Sequence, residues 1–275
     1  MRLDRSITLH SGSALGSWLT PPGGVPIPIL MYHSISDRRE SQAHPYFRTT
    51  TSPATFEEQV RFLRENGFTW VSMGKMAEYF QNPGVVGKAV GITFDDGFKD
   101  FYTEAFPILQ KYGYGATVYL PTAYVEDRFM GMDCLSWSEV RELLQHGIEI
   151  GSHTRTHPVL HILKEQDLWV EVSDSKRDVE EGTGEKVSLF SYPYAFPQED
   201  QKFTCRLSAI LEECGYVWGV TTRIGRADSG QNRLFLKRIP INEDDDLELL
   251  QAKLQGAYDW VFRIQQMYRR FKRRK

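Results

Sequence analysis

The chain has 275 residues, 41% hydrophobic and 25% charged, an ordinary globular composition with enough length to bury a core without disulfides, in one large α/β domain or two smaller ones. The net charge of −3 hides an asymmetry: Arg263 to Lys275 carries seven Lys or Arg and no acid, so residues 1–262 sum to −10 (−3 minus +7), and an acidic body argues against nucleic acid as a partner. The three cysteines, Cys134, Cys205 and Cys214, have no C-x-x-C spacing and read as reduced thiols rather than a disulfide framework or a cysteine zinc site.

No run approaches the roughly 18 apolar residues of a bilayer span. The first 25 residues lack a signal peptide's apolar stretch, so the expected location is cytoplasmic. Residues 1–25 read as an N-terminal arm, Ser- and Gly-rich and ending in the chain breaker Pro21-Pro22-Gly23-Gly24.

Short apolar runs and helical patterns then alternate. Ile29 to Tyr32 reads as a strand, Thr55 to Asn66 as a helix with Phe56, Val60 and Leu63 on one face, and Phe68 to Ser72 as a strand. Met73 to Phe80 is a short helix, Ala89 to Phe94 a strand, Tyr102 to Tyr112 a helix and Ala116 to Leu120 a strand. Trp137 to His146 forms a helix, Ile148 to Ile150 a strand, Lys164 to Glu181 a long helix and Ser188 to Tyr192 a strand. The helix Phe203 to Cys214, the strands Tyr216 to Thr221 and Leu234 to Ile239, and a last helix from Asp245 to about Met267 complete the pattern. Strands separated by helices, with no linker among them, favour one parallel closed or nearly closed α/β barrel over an open doubly wound sheet.

In such barrels chemistry gathers at the C-terminal strand ends. The reactive clusters fall there: His33-Ser34, Asp95-Asp96-Gly97, Ser152-His153 and Pro193-Tyr194 each follow a predicted strand. Adjacent carboxylates leaving a strand point different ways, so one can hold a metal while the other accepts a proton; Asp-Asp-Gly alone is equally good turn chemistry. His153 and His157 are four apart, and on one helical turn they would share a face and grip one ion. Two imidazoles and a carboxylate leave coordination positions open, which suits catalysis by Zn²⁺ or another divalent ion. His161, four further on, reads as a surface residue because Pro158 disturbs the helix.

Thr93-Phe94-Asp95-Asp96-Gly97 followed by His153-x-x-x-His157 resembles the first two motifs of the NodB-homology polysaccharide deacetylases, carbohydrate esterase family 4, over about residues 26–255. The resemblance implies a distorted (β/α)₇ barrel as a single domain, here residues 26–258. It implies Asp95 as general base, and Asp96, His153 and His157 as ligands of one divalent ion, with Zn²⁺ ahead of Co²⁺, Ni²⁺ or Mn²⁺. Ser191-Tyr192-Pro193-Tyr194 sits where the family has Arg-x-Pro-Tyr. Tyr194 can supply the backbone N–H that helps hold the oxyanion, but Ser191 stands in the Arg position, so an Arg that steadies the catalytic Asp is expected to be missing. The fourth motif matches at best Gly215-Tyr216-Val217-Trp218, without its acid. The fifth, which should bring the general-acid His, falls on Leu236-Lys237-Arg238-Ile239. Leu30-Met31-Tyr32-His33 is similar to an N-terminal Met-Tyr-His of the poly-N-acetylglucosamine deacetylases, which makes His33 the expected general acid.

The implied activity is removal of N-acetyl groups from amino sugars of a glycan or lipid-linked saccharide, with release of acetate. Tyr46, Phe47, Tyr194, Phe196 and Trp218 are aromatic candidates for stacking on sugar, with Trp218 and Tyr194 the substrate contacts chosen. Residues 259–275 form a basic amphipathic tail with apolar positions 260, 264, 267, 268 and 271, the pattern of a helix on an anionic membrane surface or of a last barrel helix with a solvated end. The missing Arg and His keep a non-catalytic, metal-containing glycan-binding protein open. Related barrels keep open a hydrolase of another amide, such as a formamide, ureide or cyclic imide.

Overall fold

In a computed structural model, residues 3–17, 25–38, 44, 48–82 and 87–262 are described. Among the described residues, twelve strands and eight α-helices follow one another along the chain. The helix α1 is Leu3–Ser17, followed by β1 Ile29–Tyr32, β2 Ser34–Ile35, β3 Thr50–Thr51 and α2 Pro53–Glu65. Next come β4 Phe68–Trp70, α3 Met76–Gln81, β5 Lys88–Phe94, α4 Phe106–Tyr112 and β6 Thr117–Leu120. The strands β7 Arg128–Phe129 and β8 Met132–Asp133 form a small antiparallel hairpin before α5 Trp137–Gln145, β9 Glu149–Ser152 and α6 Glu165–Thr183. The chain continues with β10 Leu189–Ser191, α7 Gln201–Glu213, β11 Trp218–Ile224, β12 Leu236–Pro240 and α8 Leu247–Leu254.

The main sheet runs β1-β12-β11-β10-β9-β6-β5-β4, all parallel, and β1 also pairs with β5, which closes a barrel of seven strands. The strand β4 lies outside that ring. It pairs with the first half of β5, Phe68 opposite Lys88, while β1 takes the second half, Ile29 opposite Gly91. The barrel is therefore a distorted (β/α)₇, as the family resemblance implies, and the strand and helix alternation leads one to expect its closed parallel sheet.

Local chemistry sets the helix starts. Ser52 accepts a hydrogen bond from the Thr55 N–H with Pro53 in the first turn, Ser136 and Glu139 form a reciprocal capping box, and Asp200 and Asp246 cap α7 and α8. In α2 the buried face is Phe56, Val60 and Leu63, as the periodicity predicts. These apolar faces pack on barrel residues such as Leu30, Ile92, Val118 and Phe190 in one continuous core.

Three local differences from the sequence reading have clear causes. Within the arm, residues 3–17 form a helix packed on α8, held by Arg5 to Asp246 and Glu248 and by the Tyr258 hydroxyl donating to Asp4. The predicted last helix is interrupted: α8 ends at Leu254, where Gly256 takes a left-handed φ of +88°, residues 260–262 are helical again, and the rest of the predicted span lies outside the described residues. The hairpin β7–β8 lacks an alternating apolar run long enough to announce a strand. At the start of the basic tail, Trp260 donates from its indole to Thr8 and Val261 is buried beside Ile224. Residues 263–275, which carry the tail's charge, and the aromatic candidates Tyr46 and Phe47 lie outside the described residues.

Candidate active site

The C-terminal ends of the barrel strands surround a cleft of about 380 Å³ that His33, Asp95, Asp96, His153, His157 and Tyr194 all line. Residues from four separate segments thus meet at one place, which the parallel strand order makes possible.

After β5 the chain turns sharply. Asp96 and Gly97 both adopt left-handed backbone, φ +71° and +58°, and a Cβ on residue 97 would stand 2.8 Å from the Leu120 side chain, so only glycine closes this turn. The turn sends the two carboxylates to different partners. Asp96 faces the histidines: its Oδ1 lies 3.6 Å from His153 Nε2 and 3.4 Å from His157 Nε2. These three buried residues can offer ligand atoms all within 4.8 Å of one another, a set that could hold a metal ion.

The donor chemistry fits a divalent cation. His153 Nδ1 lies 2.8 Å from the Ser191 carbonyl. A carbonyl can only accept, so Nδ1 carries the proton and Nε2 is left with a lone pair facing Asp96. Burial lowers the pKa of His153, and burial followed by the neighbouring His153 pushes His157 down to about 3, so both imidazoles are neutral near pH 7. Burial, then the charge of Asp95, pushes Asp96 up to about 8 in the metal-free protein. A cation held beside Asp96 would favour its ionised form.

The two histidines are not on a helix, contrary to the i, i+4 reading. Residues 153–158 are loop, with Thr154 and His157 at φ +67° and +55°. Two left-handed residues fold the loop so that the ring centroids lie 4.7 Å apart. The spacing pointed to the right pair through the wrong local geometry. His161 is exposed on a short 3₁₀ turn beside Phe203, away from the cleft.

Asp95 has a different environment. It is 2% exposed and faces Arg238, a fully buried guanidinium that donates from Nη1 to Oδ1 at 2.7 Å and from Nη2 to Oδ2 at 2.6 Å. The Ser191 hydroxyl donates to Oδ1 at 3.1 Å and itself receives a hydrogen bond from Arg238 Nη2 at 3.0 Å. Burial opposes the charge on Asp95, but the Arg238 cation, then His153, outweighs it and holds the carboxyl well below the usual range. The expected loss of a steadying Arg is thus corrected: Ser191 stands at that position, and Arg238, reaching across from β12, supplies the guanidinium. The sequence signal was the Leu236-Lys237-Arg238-Ile239 segment, where an arginine inside a buried barrel strand demands an anion.

His33, half-buried after β1, lines the same cleft, and its charge contributes to the depressed pKa values of Asp95 and His157. Tyr194 follows β10 at φ +56°, its carbonyl accepting from the Thr222 hydroxyl at 2.7 Å and its ring 4.6 Å from that of His157. Trp218 does not join them. It starts β11, 8% exposed, and is buried with Ile27, Ile29 and Val71 at the opposite, N-terminal end of the barrel. An aromatic at a strand start cannot reach a site built from strand ends. Phe196, another aromatic candidate, is core, packed on Tyr192 and Phe235. Sequence reading missed Arg38, Phe98, Met130, Met132 and Thr222, which also line the cleft.

The closed parallel barrel thus carries at its C-terminal face a buried Asp-His-His group that could hold a metal ion, beside a second carboxylate clamped by Arg238. Residues 83–217 match the family model for polysaccharide deacetylase. A Bacillus subtilis protein, YxkH, classed by name among the polysaccharide deacetylases, is 31% identical over 227 residues, 82% of this chain and 75% of that one. The Staphylococcus aureus poly-beta-1,6-N-acetyl-D-glucosamine N-deacetylase is 23% identical over 222 residues, 76% of this chain and 73% of its own. Among solved structures, the Streptococcus pyogenes deacetylase PplD in complex with acetate superposes with a TM-score of 0.73 at 28% identity, covering 84% of this chain and 98% of that one. The chain belongs to the polysaccharide deacetylase family.

Proposed function

We propose that this protein is a metal-dependent hydrolase that removes N-acetyl groups from amino sugars of a glycan or lipid-linked saccharide and releases acetate. The observation that carries this reading is the pairing, in one cleft, of a buried Asp96-His153-His157 group with an Asp95 that Arg238 keeps ionised. The relatives named for N-acetyl-glucosamine deacetylation and the acetate held by a similar fold support the acetamide as the bond attacked.

Asp96, His153 and His157 would hold the ion. Bound there, a divalent cation supplies acidity to water, whose pKa can fall from 15.7 to roughly 7, and polarises a carbonyl. Zn²⁺ suits two imidazoles and one carboxylate, with Co²⁺, Ni²⁺ or Mn²⁺ as alternatives. Asp95 takes the proton from the attacking water as the water oxygen bonds to the acetamide carbon. Clamped by Arg238, it is oriented and ionised but weakly basic, so it needs water that is already acidified. The Tyr194 N–H donates to the developing oxyanion, a contribution of about 3–4 kcal/mol. When the C–N bond breaks, the nitrogen takes a proton from His33 and leaves as the free amine.

The test is acetate release from N-acetylglucosamine oligomers, with Asp95→Asn and His33→Ala variants checked for folding by thermal unfolding. Release abolished by the first change and reduced about 10²–10⁴-fold by the second is expected. Wild-type protein that binds the oligomers and a metal yet releases no acetate would favour the non-catalytic glycan-binding reading. Release of formate or ring-opened product instead would favour another amide.

A further inference from the structure

His33 is held on both sides by the stretch of chain that carries the two carboxylates of the site. Before it, the Tyr32 carbonyl accepts from the Asp95 N–H at 3.0 Å. After it, the buried Ser34 hydroxyl donates to Asp100 Oδ2 at 2.5 Å. The Ile35 N–H faces the same Asp100 carboxylate. Its neighbours in the chain point the other way, as alternate amides of a paired strand do: the N–H groups of Ser34 and Ser36 donate to the Thr49 and Thr51 carbonyls at 3.4 and 2.9 Å. Residues 95–100 therefore set Asp95, Asp96 and both neighbours of His33 in one frame.

Stability does not explain Asp100. Burial pushes its pKa up, against the Ser34 hydroxyl and the Ile35 N–H, which favour its charge. A carboxyl whose pKa rises on folding costs stability at neutral pH, where it is held charged, and costs nothing well below its unfolded value. Asp100 also opens a wide π-helical turn, Phe101–Ala105, a geometry rare in proteins and frequent beside functional sites. Yet Asp100 does not line the cleft. What it does for the site passes through Ser34 and Ile35, and the residue those two adjoin is His33.

We propose that Asp100 is a positioning residue for His33: bonded to Ser34, it fixes the imidazole relative to Asp95, so that the proton donor and the proton acceptor meet one acetamide from set places. The task given to His33 rests on the deacetylase reading; the tether does not. A group displaced by about 1 Å can lose about 10²-fold in rate, which makes a single buried hydrogen bond outside the cleft matter to the reaction. The Asp-His-His group is held separately, through the turn at Gly97 and the loop of His153 and His157, so cutting the tether leaves it in place.

The test compares Asp100→Ala, which cuts the tether, with Asp100→Asn, whose amide oxygen still accepts from Ser34, and Ser34→Ala, which removes the donor and carries the same expectations as Asp100→Ala should that variant not fold. In protein labelled with ¹³C at histidine Cε1, NMR relaxation of the His33 signal, identified by its absence from His33→Ala, reads the mobility of the ring. Asp100→Ala should loosen the ring, and Asp100→Asn should leave it as rigid as in wild type, with an unfolding temperature equal to or above wild type. On N-acetylglucosamine oligomers Asp100→Ala should lower kcat about 10- to 100-fold with KM unchanged, and Asp100→Asn should stay within about threefold. Added to His33→Ala, Asp100→Ala should cost nothing further, because the group it positions is gone. A His33 ring equally rigid in Asp100→Ala, or a kcat loss undiminished in the His33→Ala background, would overturn the proposal. If the wild type releases no acetate while the ring still loosens, the deacetylase reading fails and the positioning of His33 stands.

Discussion

Replacing Arg238 by methionine tests the electrostatic core of the site. Arg238 is fully buried and its guanidinium meets Asp95 Oδ1 and Oδ2, the Ser191 and Thr93 hydroxyls and the Thr221 carbonyl. Methionine keeps much of the volume and removes the charge, leaving a carboxylate 2% exposed without a cation bonded to it. Breaking one partner of a buried pair costs about 3–5 kcal/mol. At about 2–4 °C per kcal/mol for a chain of this size, the unfolding temperature at pH 7 should fall by about 6–20 °C. Asp95 can limit that cost by taking up a proton, so its pKa should rise.

The sign follows from linkage. In the wild type the folded pKa of Asp95 lies below its unfolded value. Its contribution to stability is thus full above about pH 4 and lost as pH falls through the folded value. In Arg238→Met the folded pKa is raised instead, so the stability gap between variant and wild type should be widest near neutrality and shrink toward pH 4. The acid limb of kcat/KM should move upward over the same range, because a protonated Asp95 accepts no proton. Thermal unfolding from pH 4 to 8 and a pH–rate profile read both effects. Adding Asp95→Asn to Arg238→Met should recover part of the lost stability, since neither charge then remains. An Arg238→Met protein that unfolds within about 2 °C of wild type at pH 7, with its acid limb unmoved, would refute the reasoning.

Two further outcomes follow from the same chemistry. Because Asp96 is pushed up to about 8 while burial keeps both ligand histidines neutral, binding of a divalent cation at pH 7 should release about one proton from Asp96, a contribution that fades above about pH 9, in addition to the proton lost by water that the cation acidifies. Metal affinity should therefore rise up to about tenfold per pH unit toward pH 8. Calorimetric titration in buffers of different ionisation enthalpy gives the proton count directly, and a count of zero at pH 7 would contradict the raised pKa. Lys253 Nζ donates to the Pro240 carbonyl at 2.7 Å and to Asp245 at 2.8 Å, both side chains being buried. Lys253→Met should lower stability by about 3–5 kcal/mol, read by denaturant unfolding.

Much of the fold is local information, and local information is legible in a sequence. Apolar periodicity located α2 and β5, and the alternation of the two element types favoured a parallel sheet. The candidate metal group was equally legible, because Asp96, His153 and His157 sit in short motifs at strand ends and strand ends meet in a barrel. Even there the sequence supplied membership rather than geometry: a helical turn was expected for His153 and His157, and left-handed Thr154 and His157 bring the rings together in a loop.

What only tertiary structure decided are the contacts made across the barrel. Arg238 lies 143 residues from Asp95 in the chain, and no periodicity or spacing links them; closure of β12 onto β1, and of β1 onto β5, brings them into one plane of hydrogen bonds. The same closure sends Trp218 to the wrong end, since it starts a parallel strand whose other end carries Thr222 into the cleft. The hairpin that presents Met130 is two residues per strand, too short for any sequence period to register. It exists because the turn bearing Asp96 offers free backbone groups at Gly97 and Lys99 for it to pair with. Sequence determines which residues each strand end carries; the order and closure of the strands determine which of them face one another, and in this protein that decides where the catalytic carboxylate finds its arginine.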